Sequence, residues 1–343
     1  MSNIIYRLVI DERIILFKKI LVTGGAGFIG RETLRKILVA GYDVVCFDLA
    51  EQIARHKPYL DNIAKLGKLS LVPGSLLDRN QVRLAVDGAD VVLHLAAMLG
   101  VQKTEDNKLS CIEINIGGTE NVLNAAVSQR VKKFIFTSSS EVYGEPIRNP
   151  IVETDITQGK TVYAVTKLAG EELVKGYNQR YPFMNYSIIR FFNTYGEGQV
   201  AQFVLCKFVR EVLQGRNPVV YGDGSQLRSY GHVDDVTRGV QAVIENPISN
   251  GRVYNLGNSS QIMTLSELAQ RVIDIVAPGK GLSVDVLGSF SGSDRIPERE
   301  IHQRYCDTSR AFADLGYEAN ITIDEGIRRI AAQEVIHSDW PSC

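Results

Sequence analysis

The sequence is poor in cysteine, in clustered charge and in long apolar runs. Its five cysteines are widely separated and form no Cys-x-x-Cys pair, so we expect reduced thiols in a cytoplasmic protein, with no disulfides and no metal site. Lys and Arg number 38 against 39 Asp and Glu, with no basic run, which argues against a nucleic-acid partner. No apolar stretch approaches the ~20 residues of a membrane span, so no membrane association is expected.

What is present is a regular alternation of helix and strand patterns. It indicates an α/β fold, with a Rossmann-type doubly wound parallel sheet and a smaller C-terminal α/β substrate-binding lobe. We expect an N-terminal extension over 1–18, the Rossmann domain over 19–190 with return segments near 229–257, and the lobe over 191–343. The apolar strands are predicted near 19–23, 43–48, 69–73, 90–96, 132–138 and 186–192.

A glycine-rich turn follows the first predicted strand, in the segment KILVTGGAGFIG over 19–30. Gly24 would permit the tight turn, Gly27 would let backbone amides approach a pyrophosphate, and Gly30 would let the helix pack closely on the strand. The next strand ends at Asp48, where a carboxylate can accept hydrogen bonds from adenosine ribose hydroxyls. Leu49 follows it instead of an arginine, which favours NAD over NADP. An ordinary strand-to-helix turn is the alternative interpretation.

A second pattern places Tyr163 and Lys167 on one face of a helix predicted to begin near Val162. A phenol with a reference pKa near ~10 is a poor base at neutral pH, but an adjacent ammonium and a cationic nicotinamide both favour the phenolate. Ser139 ends an apolar strand and could share a hydrogen bond with the reacting hydroxyl. An exposed helix pair and serines that satisfy loop backbone groups are the alternatives.

With Arg190-Phe-Phe-Asn-Thr-Tyr-Gly196 in the same order, these motifs give the chain a family resemblance over about residues 19 to 330. It resembles the extended short-chain dehydrogenase/reductases and, more narrowly, the NAD-dependent nucleotide-sugar epimerase/dehydratase family. The resemblance implies bound NAD, a nucleoside-diphosphate sugar as substrate, and a homodimer.

The resemblance also assigns site residues. Ser139 and Tyr163 would act on the substrate with Lys167, and Asn193 and Arg228 would contact its diphosphate. The family usually has Asp where Ser75 stands, and an Arg and an Asp near Pro297 and Glu300. The cofactor would be bound by Tyr163 and Lys167 together with Gly24, Gly27, Phe28, Ile29, Gly30, Asp48, Ser75, Leu76, Leu95, Ala96, Ala97, Asn115 and Thr137.

Three functions are compatible with these residues. The first is C4 epimerisation of a UDP-hexose through a 4-keto intermediate, which needs no acid or base beyond Tyr163. The second uses Glu141 in a nucleotide-sugar 4,6-dehydratase or a UDP-uronate decarboxylase, although the usual dehydratase Asp-Glu pair would need Asp at Ser140. The third is a non-catalytic NAD-binding sensor, against which the presence of both Tyr163 and Lys167 argues. We favour the epimerase.

Overall fold

The computed structural model describes residues 17–200, 203–291 and 300–336. Most of the predicted N-terminal extension, and Pro297 at the nucleotide end of the site, therefore lie outside the described residues. The strands are β1 Lys19–Thr23, β2 Asp43–Asp48, β3 Leu69–Pro73, β4 Val91–His94, β5 Lys133–Ser139, β6 Asn185–Phe191, β7 Thr194–Tyr195, β8 Val219–Val220, β9 Leu227–Ser229, β10 Gly231–His232, β11 Arg252–Leu256, β12 Ile262–Thr264, β13 Asp285–Val286 and β14 Gln303–Arg304.

The helices lie between these strands, and the longest of them is the one that carries the Tyr-Lys pair. They are α1 Phe28–Val39, α2 Ala50–Arg55, α3 Lys57–Ile63, α4 Arg79–Val86, α5 Val101–Asp106, α6 Lys108–Ile112, α7 Gly118–Ser128, α8 Val162–Arg180, α9 Val204–Leu213, α10 Val233–Glu245, α11 Leu265–Val276, α12 Ser309–Leu315 and α13 Ile323–Ile336.

The central sheet has seven parallel strands in the order β11-β6-β5-β4-β1-β2-β3. Helices α1 and α10 pack on one face and α4, α7 and α8 on the other, each over its own apolar core. This arrangement confirms the predicted doubly wound fold. The six predicted strands are found within a few residues of their expected limits. Continuous buried apolar runs distinguish five of them, whereas β3, at the edge of the sheet, has no fully buried residue.

The seventh strand, β11, comes from the predicted return segments near 229–257. It pairs in parallel with β6 at the edge of the sheet. A polar residue interrupts its apolar pattern. Asn255 is fully buried, donates a hydrogen bond to the carbonyl of Ile151 at 3.0 Å and accepts one from the hydroxyl of Tyr143 at 2.7 Å. The strand therefore has little of the signature of a buried parallel strand.

The C-terminal region adds a third apolar core, formed mainly by α9, α11 and α13. Helix α11 begins with a capping box. Thr264 accepts a hydrogen bond from the Glu267 amide at 3.1 Å, and the Glu267 carboxylate accepts one from the Thr264 amide at 2.7 Å. Within the described ranges, no helix is both long and apolar enough to cross a membrane.

Chain order reverses between β1 and β4, which are neighbours in the sheet. Ligands of doubly wound sheets bind beyond the carboxyl ends of the strands at such a reversal. The glycine turn follows β1 and the serine segment ends β5, so both lie at this edge. Both segments therefore border the crevice in which ligands of this fold bind.

Candidate active site

Helix α8 places Tyr163 and Lys167 one turn apart beside the end of β5. Thr161 caps the helix, because its side chain accepts a hydrogen bond from the Ala164 amide at 3.1 Å. The buried Lys167 ammonium donates to the Thr137 carbonyl at 2.8 Å, and its Nζ lies 5.8 Å from the centroid of the Tyr163 ring. The strand end thus fixes the lysine next to the phenol.

The environment shifts the pKa of both side chains. Burial lowers the pKa of Lys167 to about 8. The pKa of Tyr163 is raised, mainly by burial and then by the negative charge of Glu141, while a hydrogen bond with Ser139 lowers it. Burial and Glu141 therefore oppose the phenolate that a base would need, whereas Ser139 favours it.

Glu141, in the turn after β5, contacts the residue that caps α8. Its backbone amide donates to the Ser139 hydroxyl at 3.2 Å, and its Oε2 accepts a hydrogen bond from the Thr161 hydroxyl at 3.3 Å. Ser139, Glu141 and Tyr163 are therefore brought together from β5, the turn after it and α8. Ser140, where a dehydratase would carry Asp, is buried.

The glycine turn is tight and closely packed. Gly24 has φ of +69°, and a Cβ there would lie 2.7 Å from the Ala96 amide nitrogen. A Cβ at Gly30 would clash with the carbonyls of Gly24 and Gly25. Only glycine fits both positions, as the sequence predicts for a turn that brings the backbone close to a ligand.

Asp48 accepts hydrogen bonds from the amides of Ala26 and Leu49 at 2.9 and 2.8 Å. Burial nevertheless raises the pKa of this carboxyl group. Helix α1 follows Gly27 with no side-chain cap and no acidic residue in its first turn. The first amides of the helix therefore have no side-chain acceptor, and the Asp48 carboxylate lies against the same glycine turn.

Asn115 lies between the loop after β4 and helix α8. Its side-chain oxygen accepts from the Met98 amide at 2.7 Å, and its amide nitrogen donates to the Thr166 hydroxyl at 3.0 Å. Thr137 donates to the His94 carbonyl at 2.7 Å. The structure thus uses Asn115 and Thr137 to hold the loop that carries Leu95, Ala96 and Ala97.

Ser75 and Leu76 lie beyond β3, near the predicted adenine end. The Ser75 amide donates to the Gln81 side chain at 2.9 Å, and its hydroxyl accepts from the Leu77 amide at 3.2 Å. Leu76 is buried, and a Cβ at Gly118 would lie 2.8 Å from the Leu76 Cβ. These contacts shape the turn without the carboxylate that the family usually has at Ser75.

The predicted substrate contacts have protein partners of their own. Asn193, at φ of +26°, donates to the Ser229 carbonyl at 2.9 Å. Arg228 forms a buried ion pair with Glu300 at 2.8 Å and donates to the carbonyls of Ile301 and His302 at 2.5 and 3.1 Å. The described structure therefore ties Arg228 to the segment that begins at Glu300.

Residues 20–257 match the model of the NAD dependent epimerase/dehydratase family. The chain belongs to this family. A UDP-N-acetyl-alpha-D-glucosaminuronate decarboxylase of Bacillus cytotoxicus is 36% identical to it, over 91% of this chain and 96% of that protein. Two solved structures are also similar. UDP-N-acetylglucosamine 4-epimerase of Methanobrevibacter ruminantium has a TM-score of 0.83 at 25% identity, covering 94% of this chain and 99% of its own. DesIV, the dTDP-glucose 4,6-dehydratase of Streptomyces venezuelae solved with NAD and TYD bound, has a TM-score of 0.84 at 26% identity, covering 94% and 98%.

The crevice of this epimerase/dehydratase fits NAD, the family's cofactor. A dinucleotide requires a backbone that its pyrophosphate can approach, an uncapped helix start and a carboxylate for its ribose. The chain provides these with Gly24 and Gly30, the start of α1 and Asp48. The relatives bind nucleotide sugars but catalyse three different reactions: epimerisation, dehydration and decarboxylation. Membership in the family therefore defines the cofactor and leaves the substrate and the reaction to be argued from the site.

Sequence reasoning missed one contact at the start of α8. Glu105, in α5, accepts a hydrogen bond from the Val162 amide at 3.0 Å. No motif contains Glu105, and it lies 57 positions from its partner in the chain. Only the packing of α5 on α8 reveals it.

Proposed function

We propose that the protein is a nucleotide-sugar C4 epimerase that acts on a UDP-hexose through a 4-keto intermediate. The observation that carries this proposal is the group at the end of β5, where the Tyr163 phenol lies next to Ser139 and Lys167. The described surroundings offer Glu141 but no Asp-Glu pair. C4 epimerisation requires no acid or base besides the phenol.

The side chains have separate tasks in this proposal. Tyr163 takes the proton from the sugar O4, and Ser139 holds that hydroxyl by a hydrogen bond. Lys167, held on the Thr137 carbonyl, places its charge beside the phenol. NAD, when bound, supplies a reversible hydride acceptor at C4. The keto sugar would then turn over so that the hydride returns to the opposite face of C4, and Tyr163 would give the proton back to O4.

We extend the proposal to the remaining contacts and to the assembly. Gly24, Gly27, Gly30 and Asp48 would bind NAD, and Asn193 and Arg228 would bind the sugar diphosphate. Binding through Arg228 would require a phosphate oxygen to join or replace Glu300 at the guanidinium. A homodimer in the cytoplasm is proposed from the family resemblance, and it fits the exposed apolar residues on α6 and α8, Leu109, Ile112 and Val165.

The reaction can be identified from its products. Purified protein incubated with UDP-, dTDP-, GDP- and CDP-sugars is expected to convert a UDP-hexose to a product of unchanged mass with a new sugar signal in the proton NMR spectrum. Mass spectrometry separates the alternatives, because dehydration loses water and decarboxylation loses carbon dioxide. A water-loss product with no epimer would reject the epimerase.

A second candidate is decarboxylation of a UDP-uronate. The position of Glu141 beside Tyr163 favours it, and so does the 36% identity to the Bacillus decarboxylase. Oxidation at C4 would again begin at Tyr163, and the 4-keto uronate would lose its carboxyl group as carbon dioxide. Glu141 would then act on the sugar itself.

Replacing Glu141 with Gln distinguishes the two candidates. For the epimerase, loss of the negative charge lowers the pKa of Tyr163, so the acid limb of the kcat/KM profile should move to lower pH. For the decarboxylase, turnover should fall on the order of 100-fold at every pH, as expected on loss of an acid-base group. Glu172→Gln is the matched control, because Glu172 lies on the exposed side of α8 and pairs with Lys175.

A further inference from the structure

The start of helix α8 has two side-chain acceptors. The first four backbone amides of a helix have no partner within it. Thr161 accepts from Ala164, and Glu105 accepts from Val162, the residue before Tyr163. Glu105 reaches across from α5 and is only 6% exposed, with its second oxygen 3.4 Å from the Lys108 ammonium. A buried carboxylate of a neighbouring helix thus fixes the backbone next to the base.

Helix α5 directly continues the loop that carries Leu95, Ala96 and Ala97. Asn115 ties this loop to α8 through Met98 and Thr166. Glu105 adds a second tie, from the helix that follows the loop to the very start of α8. The loop beside the glycine turn and the helix that carries Tyr163 are therefore joined at two points.

We propose that Glu105 is a positioning residue, which sets the distance between Tyr163 and the reacting sugar hydroxyl by holding the Val162 amide. The inference rests on the proposed function in that Tyr163 is the base. Glu105 acts by geometry and not by its charge. The Glu105 carboxylate contributes to raising the pKa of Cys111. The carboxylate that raises the pKa of Tyr163 is that of Glu141. A small displacement of a reacting group is costly, since misplacement by about 1 Å can reduce a rate on the order of 100-fold.

Three variants test this role. Glu105→Ala is expected to lower kcat on the order of 10-fold with little change in KM, because a base is displaced and substrate contacts are kept. Glu105→Gln should recover most of the rate, since its amide oxygen can still accept from Val162. Lys108→Ala, which removes only the ion pair on an exposed lysine, should behave as the wild type. The pH of the acid limb should stay constant throughout, unlike in Glu141→Gln.

Hydrogen exchange of the first turn of α8 gives a readout that does not depend on activity. Peptides covering Val162 should exchange faster in Glu105→Ala and at the wild-type rate in Glu105→Gln. Equal protection in all variants would overturn the role of Glu105 whatever reaction is found. A Gln variant as slow as Ala would show that charge matters instead and would equally reject it.

If Glu105→Ala fails to fold, Glu105→Asp replaces it, because the shorter side chain keeps the charge but is too short to reach the Val162 amide. By contrast, lack of any hydride transfer in the wild type would reject the proposed function and leave the exchange test standing.

Discussion

Replacing Tyr163 with Phe is expected to abolish hydride transfer and to leave NAD bound. The ring keeps its place between Lys167 and the end of β5, so only the proton acceptor is lost. Loss of a general base typically costs 10²–10⁴-fold in rate, and we expect a decrease of about 10³-fold or more. The measurement is the absorbance change at 340 nm in a single turnover, with NAD content determined in parallel.

Tyr177→Phe is the matched control for this experiment. Tyr177 lies on the same helix, and its hydroxyl bonds to the Asn124 side chain away from the crevice. It should keep the wild-type rate. A Tyr163→Phe protein that still reduced its cofactor with substrate would show that another group takes the proton.

The second large effect is expected from Gly24→Ala, which should abolish tight NAD binding. The substitution combines two costs, since φ of +69° is unfavourable for alanine and the new Cβ would lie 2.7 Å from the Ala96 backbone nitrogen. A backbone neighbour cannot move aside as a flexible side chain can. Strain of about 1–3 kcal/mol from each source corresponds to a Kd for NAD raised on the order of 100-fold, measured by calorimetry or fluorescence titration.

Gly316→Ala is the control for general destabilisation by a strained backbone. Gly316 follows α12 with φ of +65°, close to that of Gly24, but a Cβ there meets no atom within 4 Å. It should lower the melting temperature slightly through backbone strain and leave the Kd for NAD unchanged. Equal effects of the two substitutions on NAD binding would mean that general destabilisation, and not the turn, is responsible.

The residues that could be predicted from the sequence belong to continuous segments. The strand-turn-helix at 19–30 and the start of α8 follow from apolar runs, glycines and caps, which act over a few positions. The structure places Tyr163, Lys167 and Ser139 together because parallel strands end at the same edge.

Long-range pairings could not be predicted, because no local pattern encodes them. Arg228 was expected at a phosphate, and nothing in its own motif shows the ion pair with Glu300, 72 positions away. The contact of Glu105 with Val162 is of the same kind. Both depend on how separate segments pack, which is a property of the tertiary structure.

The position of β11 has a consequence for folding of the chain during its synthesis. Tyr254 and Leu256 of this strand lie in the same core as Ile20 and Val22 of β1, and β11 covers the outer edge of β6. A ribosome must therefore synthesise the chain past Leu256 before the sheet that flanks the crevice is finished. Until then β6 presents a row of unsatisfied backbone amides and carbonyls, which invites pairing with another chain. The nascent protein is thus most exposed to aggregation while its cofactor crevice is still being built.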